Sequence, residues 1–275
     1  MMKKLVLYIL LICIVFTSCK RVDQDNQTDM SIATDEPEPS AEIVATTEAT
    51  IPAETTFYFP SGDFCDTFTN AANDYTMDYW LFVPENATTE MPLVVFLHGI
   101  GEVGRIDALQ DYGPITSARD IYGDGFPFIA LYPNTKIDSW WTDPIQETLM
   151  ELIQSVSEQY SIDTEHIIIT GHSLGAIGTW CMISRYGDYF SAAVPVSCGC
   201  DQLLNFENCA KVPIWAFVGD ADAYEPKYEA GMRRLLYAIV QQDGNAKITI
   251  LTGDTHGKTK TSAYTAETFI WMLSQ

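Results

Sequence analysis

Basic residues are scarce in this chain: 15 lysines and arginines stand against 37 aspartates and glutamates, for a formal net charge of -22. Nucleic acid is thereby excluded as a partner, because phosphate contacts need clustered Lys and Arg. Long apolar runs are missing too. The best candidate, Leu5 to Phe16 behind Lys3 and Lys4, is too short for a comfortable transmembrane helix and fits the core of a signal peptide. Histidine occurs only four times, at His98, His166, His172 and His256, which restricts the choice of any proton-transferring base. Beyond the leader, cysteine is limited to Cys65, Cys181, Cys198, Cys200 and Cys209. No histidine stands near the last three and their spacing matches no zinc pattern, so neither a metal nor another cofactor is expected.

What is present divides the 275 residues into three parts. Residues 1–19 read as a lipoprotein-type leader: Phe16-Thr17-Ser18-Cys19 resembles a bacterial lipobox, in which Cys19 would carry the lipid and anchor the protein to a membrane surface, with plain secretory cleavage as the alternative. Residues 20–60 are rich in Thr, Glu, Asp, Pro and Ala and almost without aromatics before Phe57, a composition that cannot offset its ordering entropy and predicts a disordered tether. Residues 61–275 carry the core-forming content of a chain that is 47% apolar. In an exported protein disulfides persist, and the trio around one loop suggests Cys200 with Cys209 or Cys198 with Cys209, leaving Cys181 as a small buried hydrophobe.

Within that third part, apolar runs predict strands at Thr76 to Val83, Pro92 to His98, Phe126 to Tyr132, His166 to Thr170, Ala192 to Val196, Val212 to Val218 and Lys247 to Leu251. Helical spacing appears between several of them: Ile145 to Tyr160, Tyr228 to Val240, and Tyr264 to Leu273. Strand alternating with helix to the end predicts an α/β fold, a doubly wound and mostly parallel sheet with helices on both faces. Ligands bind such sheets at the carboxyl ends of the strands.

The chain is organised around HIIITGHSLGAIGTW, His166 to Trp180. Gly171-His172-Ser173-Leu174-Gly175 has the G-x-S-x-G pattern of a nucleophile elbow, a sharp strand-to-helix turn that lifts a serine hydroxyl clear of the sheet. A serine needs a base, and the base needs a buried acid to hold its tautomer. His256 is the only histidine downstream of Ser173, and Gly219-Asp220-Ala221-Asp222 follows a strand end. Both aspartates are candidates. Asp222 is preferred, because the turn must run past the strand end before a carboxylate reaches the His256 loop, and Asp220 is then an acceptor for loop N–H groups. His98 is expected to brace the loop after its strand, His166 to open a strand, and His172 to point away. An oxyanion hole requires two N–H donors: Leu174 by its place after the serine, and Ile100 or Gly101 from His98-Gly99-Ile100-Gly101. Trp140 and Trp141 fall on the ligand side and are positioned either to stack on a sugar or aromatic acyl group or to pack inside.

PLVVFLHGIGEVG, GHSLGAIGTW, VPIWAFVGDADAYEP and TFIWMLSQ together resemble the secreted α/β-hydrolases grouped with family 1 carbohydrate esterases, polyhydroxybutyrate-depolymerase-like esterases and prolyl-oligopeptidase-like peptidases. The resemblance spans roughly Tyr75 to Gln275 and implies a serine triad of Ser173, Asp222 and His256 acting on carboxylic esters, with peptidase activity or a non-catalytic surface binding role as alternatives. Where relatives show a basic residue after the glutamate this chain has Val103, and where they show bulkier hydrophobics after the acid it has Ala223-Tyr224. No insertion between strands is long enough for a lid. An open cleft on a tethered enzyme suits acyl groups displayed on a polymer, such as acetylated or feruloylated polysaccharide.

Overall fold

The computed structural model describes residues 59–110, 112–224 and 226–275. The leader, Cys19 and nearly all of the proposed tether lie outside these. The packed unit starts slightly before residue 61, because Phe59 already sits on Tyr160 with ring centroids 5.4 Å apart.

Among the described residues eight strands form one sheet: β1 Gly62–Thr69, β2 Thr76–Val83, β3 Leu93–Leu97, β4 Ile129–Asn134, β5 Ile167–His172, β6 Ala192–Val196, β7 Ile214–Gly219 and β8 Ala246–Leu251. Their spatial order is β1-β2-β4-β3-β5-β6-β7-β8. β1, β2 and β4 pair antiparallel, and every pairing from β4 to β8 is parallel. This is the α/β-hydrolase arrangement expected from the strand and helix pattern. β1 was not foreseen. Its residues alternate half-buried and exposed, as suits an edge strand, and Asp63, Asp66, Thr67 and Thr69 dilute the apolar signal.

The helices are α1 Pro114–Tyr122, α2 Asp143–Tyr160, α3 Leu174–Tyr186, α4 Phe206–Cys209, α5 Lys227–Val240, α6 His256–Ser262 and α7 Ala266–Met272. Strand side chains alternate between faces, and β3 shows the result: Leu93, Val95 and Leu97 join one core, Val94 and Phe96 the other. The first core is closed by α2, α3 and α5 through Leu149, Ile153, Trp180, Met232 and Leu235. The second is closed by α1 and α7 through Ile115, Phe269 and Met272. Burial on both faces is why β3 to β7 read as continuous apolar runs. The functional consequence is positional. The turns after β3, β5, β7 and β8 all emerge at one end of the sheet.

Candidate active site

The turn between β5 and α3 is shaped by backbone packed against backbone. A side chain at Gly171 would put its Cβ 2.3 Å from the Gly175 carbonyl oxygen, and one at Gly175 would lie 1.8 Å from the Leu97 carbonyl oxygen. Only glycine lets α3 start this close to β3. Ser173, between them, is held at φ 57°, ψ -113°, a conformation that a residue with a side chain rarely adopts. Its own N–H donates to the Val196 carbonyl at 2.9 Å, tying the turn to β6.

Two further loops converge on the Ser173 hydroxyl. Asp222 follows β7, and its carboxylate is wholly buried while the His256 side chain remains 27% exposed. Asp222 Oδ2 accepts from His256 Nδ1 at 2.6 Å, and Oδ1 accepts the Tyr224 N–H at 2.9 Å. His256 Nε2 lies 2.9 Å from Ser173 Oγ. A carboxylate only accepts, so Nδ1 carries the proton; in the neutral ring Nε2 is then an acceptor for the serine hydroxyl. Asp220 is exposed and accepts the Gly253 N–H at 2.6 Å, so it joins the β7 and β8 loops without touching the imidazole.

The loop after β3 runs beside this line, because Leu97 pairs with Gly171. His98 is buried and fixes the start of that loop: Nδ1–H donates to the Gly99 carbonyl at 2.6 Å and Nε2 accepts the Thr135 N–H at 3.1 Å. Burial lowers its pKa to about 4. Ile100 and Gly101 open a short 3-10 turn, Ile100–Glu102, and as its first residues have no acceptor within it. Both are exposed, and Leu174 likewise opens α3 with its N–H free of any partner in that helix.

His172 does not point away. Its Nε2–H donates to the His256 carbonyl at 2.8 Å, the rings lie 4.8 Å apart, and a Cβ on Gly99 would be 3.5 Å from its Nδ1. It therefore links the β5–α3 turn, the β3 loop and His256. Burial first, and the neighbouring His256 second, lower its pKa to about 4. His172 closes β5 and, with Ile168 and Thr170, faces the side of the sheet on which Tyr264 lies; the expectation failed because the path of the His256 loop over that face is set by tertiary contact. His166 pairs with Asp163 at 2.6 Å, away from this constellation.

Trp140 is corrected to the packing alternative. Its indole is fully buried, donates to the His98 carbonyl at 3.2 Å and lies over the position of a Cβ on Gly178. Trp141 is half-buried and packs against the same core. The disulfide expected among Cys198, Cys200 and Cys209 is not formed, while Cys181 is the buried free thiol expected. Cys181, Cys198, Cys200 and Cys209 are free thiols, and Cys200 Sγ meets the sulfur of Cys181, at 3.8 Å. Cys181 projects from α3 toward the loop after β6, a proximity that sequence spacing does not reveal. Two aromatics flank His256, neither of which the sequence assigned to the site: the Tyr224 and Tyr228 rings lie 5.9 and 5.7 Å from its ring. Tyr228 reads in sequence only as the first apolar position of α5.

A family model described as Phospholipase/Carboxylesterase matches residues 124–274, just over half the chain. An acetylxylan esterase A (described as probable) of Neosartorya fischeri is 28% identical over 136 residues, 44% of this chain and 35% of that protein. Poly(3-hydroxyalkanoate) depolymerase C of Paucimonas lemoignei is 25% identical over 141 residues, 46% of this chain and 32% of that protein. The alignments with curated relatives span from under a fifth to just under half of those proteins' lengths. Among solved structures, a thermostable esterase superposes with a TM-score of 0.68 and 28% identity, over 78% of this chain and 63% of that one.

Proposed function

The chain belongs to the phospholipase/carboxylesterase family, and from that premise we propose that it is an exported serine esterase that removes acyl groups, acetyl above all, from polysaccharide. The observation that carries the reading is the hydrogen-bonded line from Asp222 through His256 to Ser173, 2.6 and 2.9 Å long. Ser173 Oγ attacks the ester carbonyl while His256 Nε2 takes its proton, and Asp222 keeps the imidazole oriented and stabilises the imidazolium. The tetrahedral oxyanion is met by the Leu174 N–H and an N–H from Ile100 or Gly101. His256 returns the proton to the departing alcohol, leaving an acyl ester on Ser173. Water, deprotonated by the same ring, then releases the acid. The similarity to an acetylxylan esterase supports acetyl as the acyl group; feruloyl esters are the second choice within the same mechanism.

Because the two groups act as one unit, their losses should not add. Ser173→Ala, His256→Ala and the double variant are expected to fall to similar residual rates on 4-nitrophenyl acetate, and only wild type should be labelled by a fluorophosphonate. Near wild-type turnover in His256→Ala removes the triad, whereas a wild type that is neither labelled nor active leaves a binding protein with a hydrolase fold. The reading extends to location, with Cys19 as the lipidated residue and residues 20–60 as the tether. Cys19→Ala should move the protein out of the membrane fraction, and unchanged fractionation would refute the anchor.

A further inference from the structure

A cavity of about 270 Å³ opens between the start of α3, the loop after β6 and the first turns of α5. Ile177, one turn beyond Ser173, forms one wall and Tyr228 another, and the same Tyr228 ring leans on the His256 imidazole. Ile177 and Tyr228 are thus shared between the cavity and the neighbourhood of Ser173 and His256, on the ligand side of the sheet.

Gly199 and Gly231 face each other at its floor for different reasons. A Cβ on Gly199 would come 3.0 Å from the Gly231 carbonyl carbon, so packing accounts for that glycine. Packing does not account for Gly231. It sits inside the 14-residue helix α5, where glycine costs roughly 1 kcal/mol relative to alanine, yet a Cβ there would meet only Gly199 Cα, at an ordinary 3.9 Å. What the missing side chain does is leave the cavity empty. The remaining walls mix signs and types: Asp201, held by Arg234 at 3.5 Å, supplies a carboxylate, Gln202 an amide and Lys227 an ammonium. Balanced charge disfavours an anion such as phosphate. An apolar ring face beside interspersed donors and acceptors matches a sugar, which presents C–H faces and hydroxyls that both donate and accept.

We propose that this cavity is a saccharide subsite, holding a sugar ring of the ester's alcohol part with Tyr228 as the stacking platform and Gln202, Asp201 and Lys227 reading its hydroxyls. The assignment rests on the ester-hydrolase reading for its role in turnover, but sugar binding itself does not.

Gly231→Leu tests it, since the new side chain fills the cavity without touching His256 and should raise the thermal midpoint or leave it unchanged. The ratio of kcat/KM on an acetylated xylo-oligosaccharide to kcat/KM on 4-nitrophenyl acetate should fall at least about tenfold, chiefly through KM, the scale of losing a well-filled site. Gln202→Ala should lower the same ratio about threefold, the scale of one exposed hydrogen bond. In parallel, xylotriose titrated into Ser173→Ala should perturb resonances of Tyr228 and the loop after β6, and should cease to do so when Gly231→Leu is added. An unchanged ratio in a folded Gly231→Leu enzyme overturns the subsite while leaving the hydrolase reading intact. Xylotriose that binds equally well with and without the Gly231→Leu substitution overturns it too. A wild type inert to all esters but still binding xylotriose at this cavity would instead remove the hydrolase reading and keep the subsite.

Discussion

At Gly175 a methyl group would land 1.8 Å from the Leu97 carbonyl oxygen, whereas at Gly257, the residue after His256, it would touch nothing within 4 Å. The proposed nucleophile and its proposed base are thus positioned by different physics. The elbow is fixed by excluded volume: backbone fills the space on each side of Ser173, and no small adjustment relieves an overlap of main chain on main chain. Around His256 itself hydrogen bonds do this instead, backbone overlap entering only further along the loop, where a Cβ on Gly219 would lie 2.1 Å from the Asp254 carbonyl oxygen. Asp222 holds the His256 ring, while His172 and Thr259 both donate to its carbonyl, at 2.8 and 2.7 Å. Damage to the elbow should therefore appear as lost folding, and damage to the histidine side as lost rate in a folded protein.

The strongest test of that division is Gly175→Ala. Its Cβ requires the start of α3 to leave β3, which opens the core under both. The expected cost exceeds about 4 kcal/mol, in the range reserved for gross structural conflict. Purified variant should be absent or unfolded by circular dichroism. A folded, active Gly175→Ala protein would mean that the elbow has slack and that the contrast is false.

On the other side, Asp222→Asn should leave a folded protein whose turnover is lower by about 10⁴, the scale seen when a triad carboxylate is replaced by its amide in the serine protease template. Asp220→Asn should cost less than about tenfold, because its exposed carboxylate accepts one loop N–H and the loss is of one solvent-screened hydrogen bond. Steady-state kinetics on 4-nitrophenyl acetate ranks the two. The reverse order would transfer the acid's role to Asp220.

The buried histidines give a pH dependence that bears on both regions. His98 and His172 each have a folded pKa near 4, against 6.5 when free, in each case chiefly through burial. Between those values the unfolded chain binds more protons, so the stabilisation from these two groups is fully present above about pH 6.5 and is lost as pH falls through 4. Each contributes about 3 kcal/mol at order of magnitude. Urea midpoints should begin to drop between pH 6.5 and 5, above the carboxylate range, and His172→Asn should flatten that slope. A midpoint independent of pH across this window would show that neither ring is held neutral.

Much of this was legible in the sequence, and for identifiable reasons. β3 and β5 to β7 announce themselves because burial on both faces demands uninterrupted apolar runs. Ser173 stands out because its turn admits only glycine at two fixed offsets, and His256 because no other histidine follows it. Legibility ended where side-chain direction depends on tertiary contact. His172 closes β5 in register with Val196, but its bond to the His256 backbone depends on where a distant loop lies, which no local pattern reports. Trp140 was assigned to the ligand side by its place after β4, but Gly178 on α3 leaves a recess that draws the indole inward. The Cys181 and Cys200 sulfurs meet across a helix and a loop, where spacing along the chain carries no information. Tyr228 keeps helical period and yet turns its ring toward the site, because it lies in the first turn of α5, next to the Asp222 loop.

The smallest expected effect is the most direct probe of the open side. Gly257 is the second residue of α6, its φ is not in the left-handed range, and its missing side chain faces solvent. Alanine there restricts the unfolded chain and favours the helix, so Gly257→Ala should stabilise the protein by about 0.4–1 kcal/mol. Turnover should stay within about twofold of wild type, since His256 keeps its three hydrogen-bonded anchors and no new contact reaches them. Thermal unfolding and kinetics on one preparation measure both. If Gly257→Ala were more stable but clearly slower, the loop would have to leave its helical start during each turnover, and the base would be positioned by a moving segment rather than by the fixed set of bonds seen here. If it were less stable, the space beside Gly257 would be occupied in solution, and the contrast with Gly175 would be one of degree. Only a variant that gains stability at unchanged rate preserves the distinction between a nucleophile held by volume and a base held by hydrogen bonds.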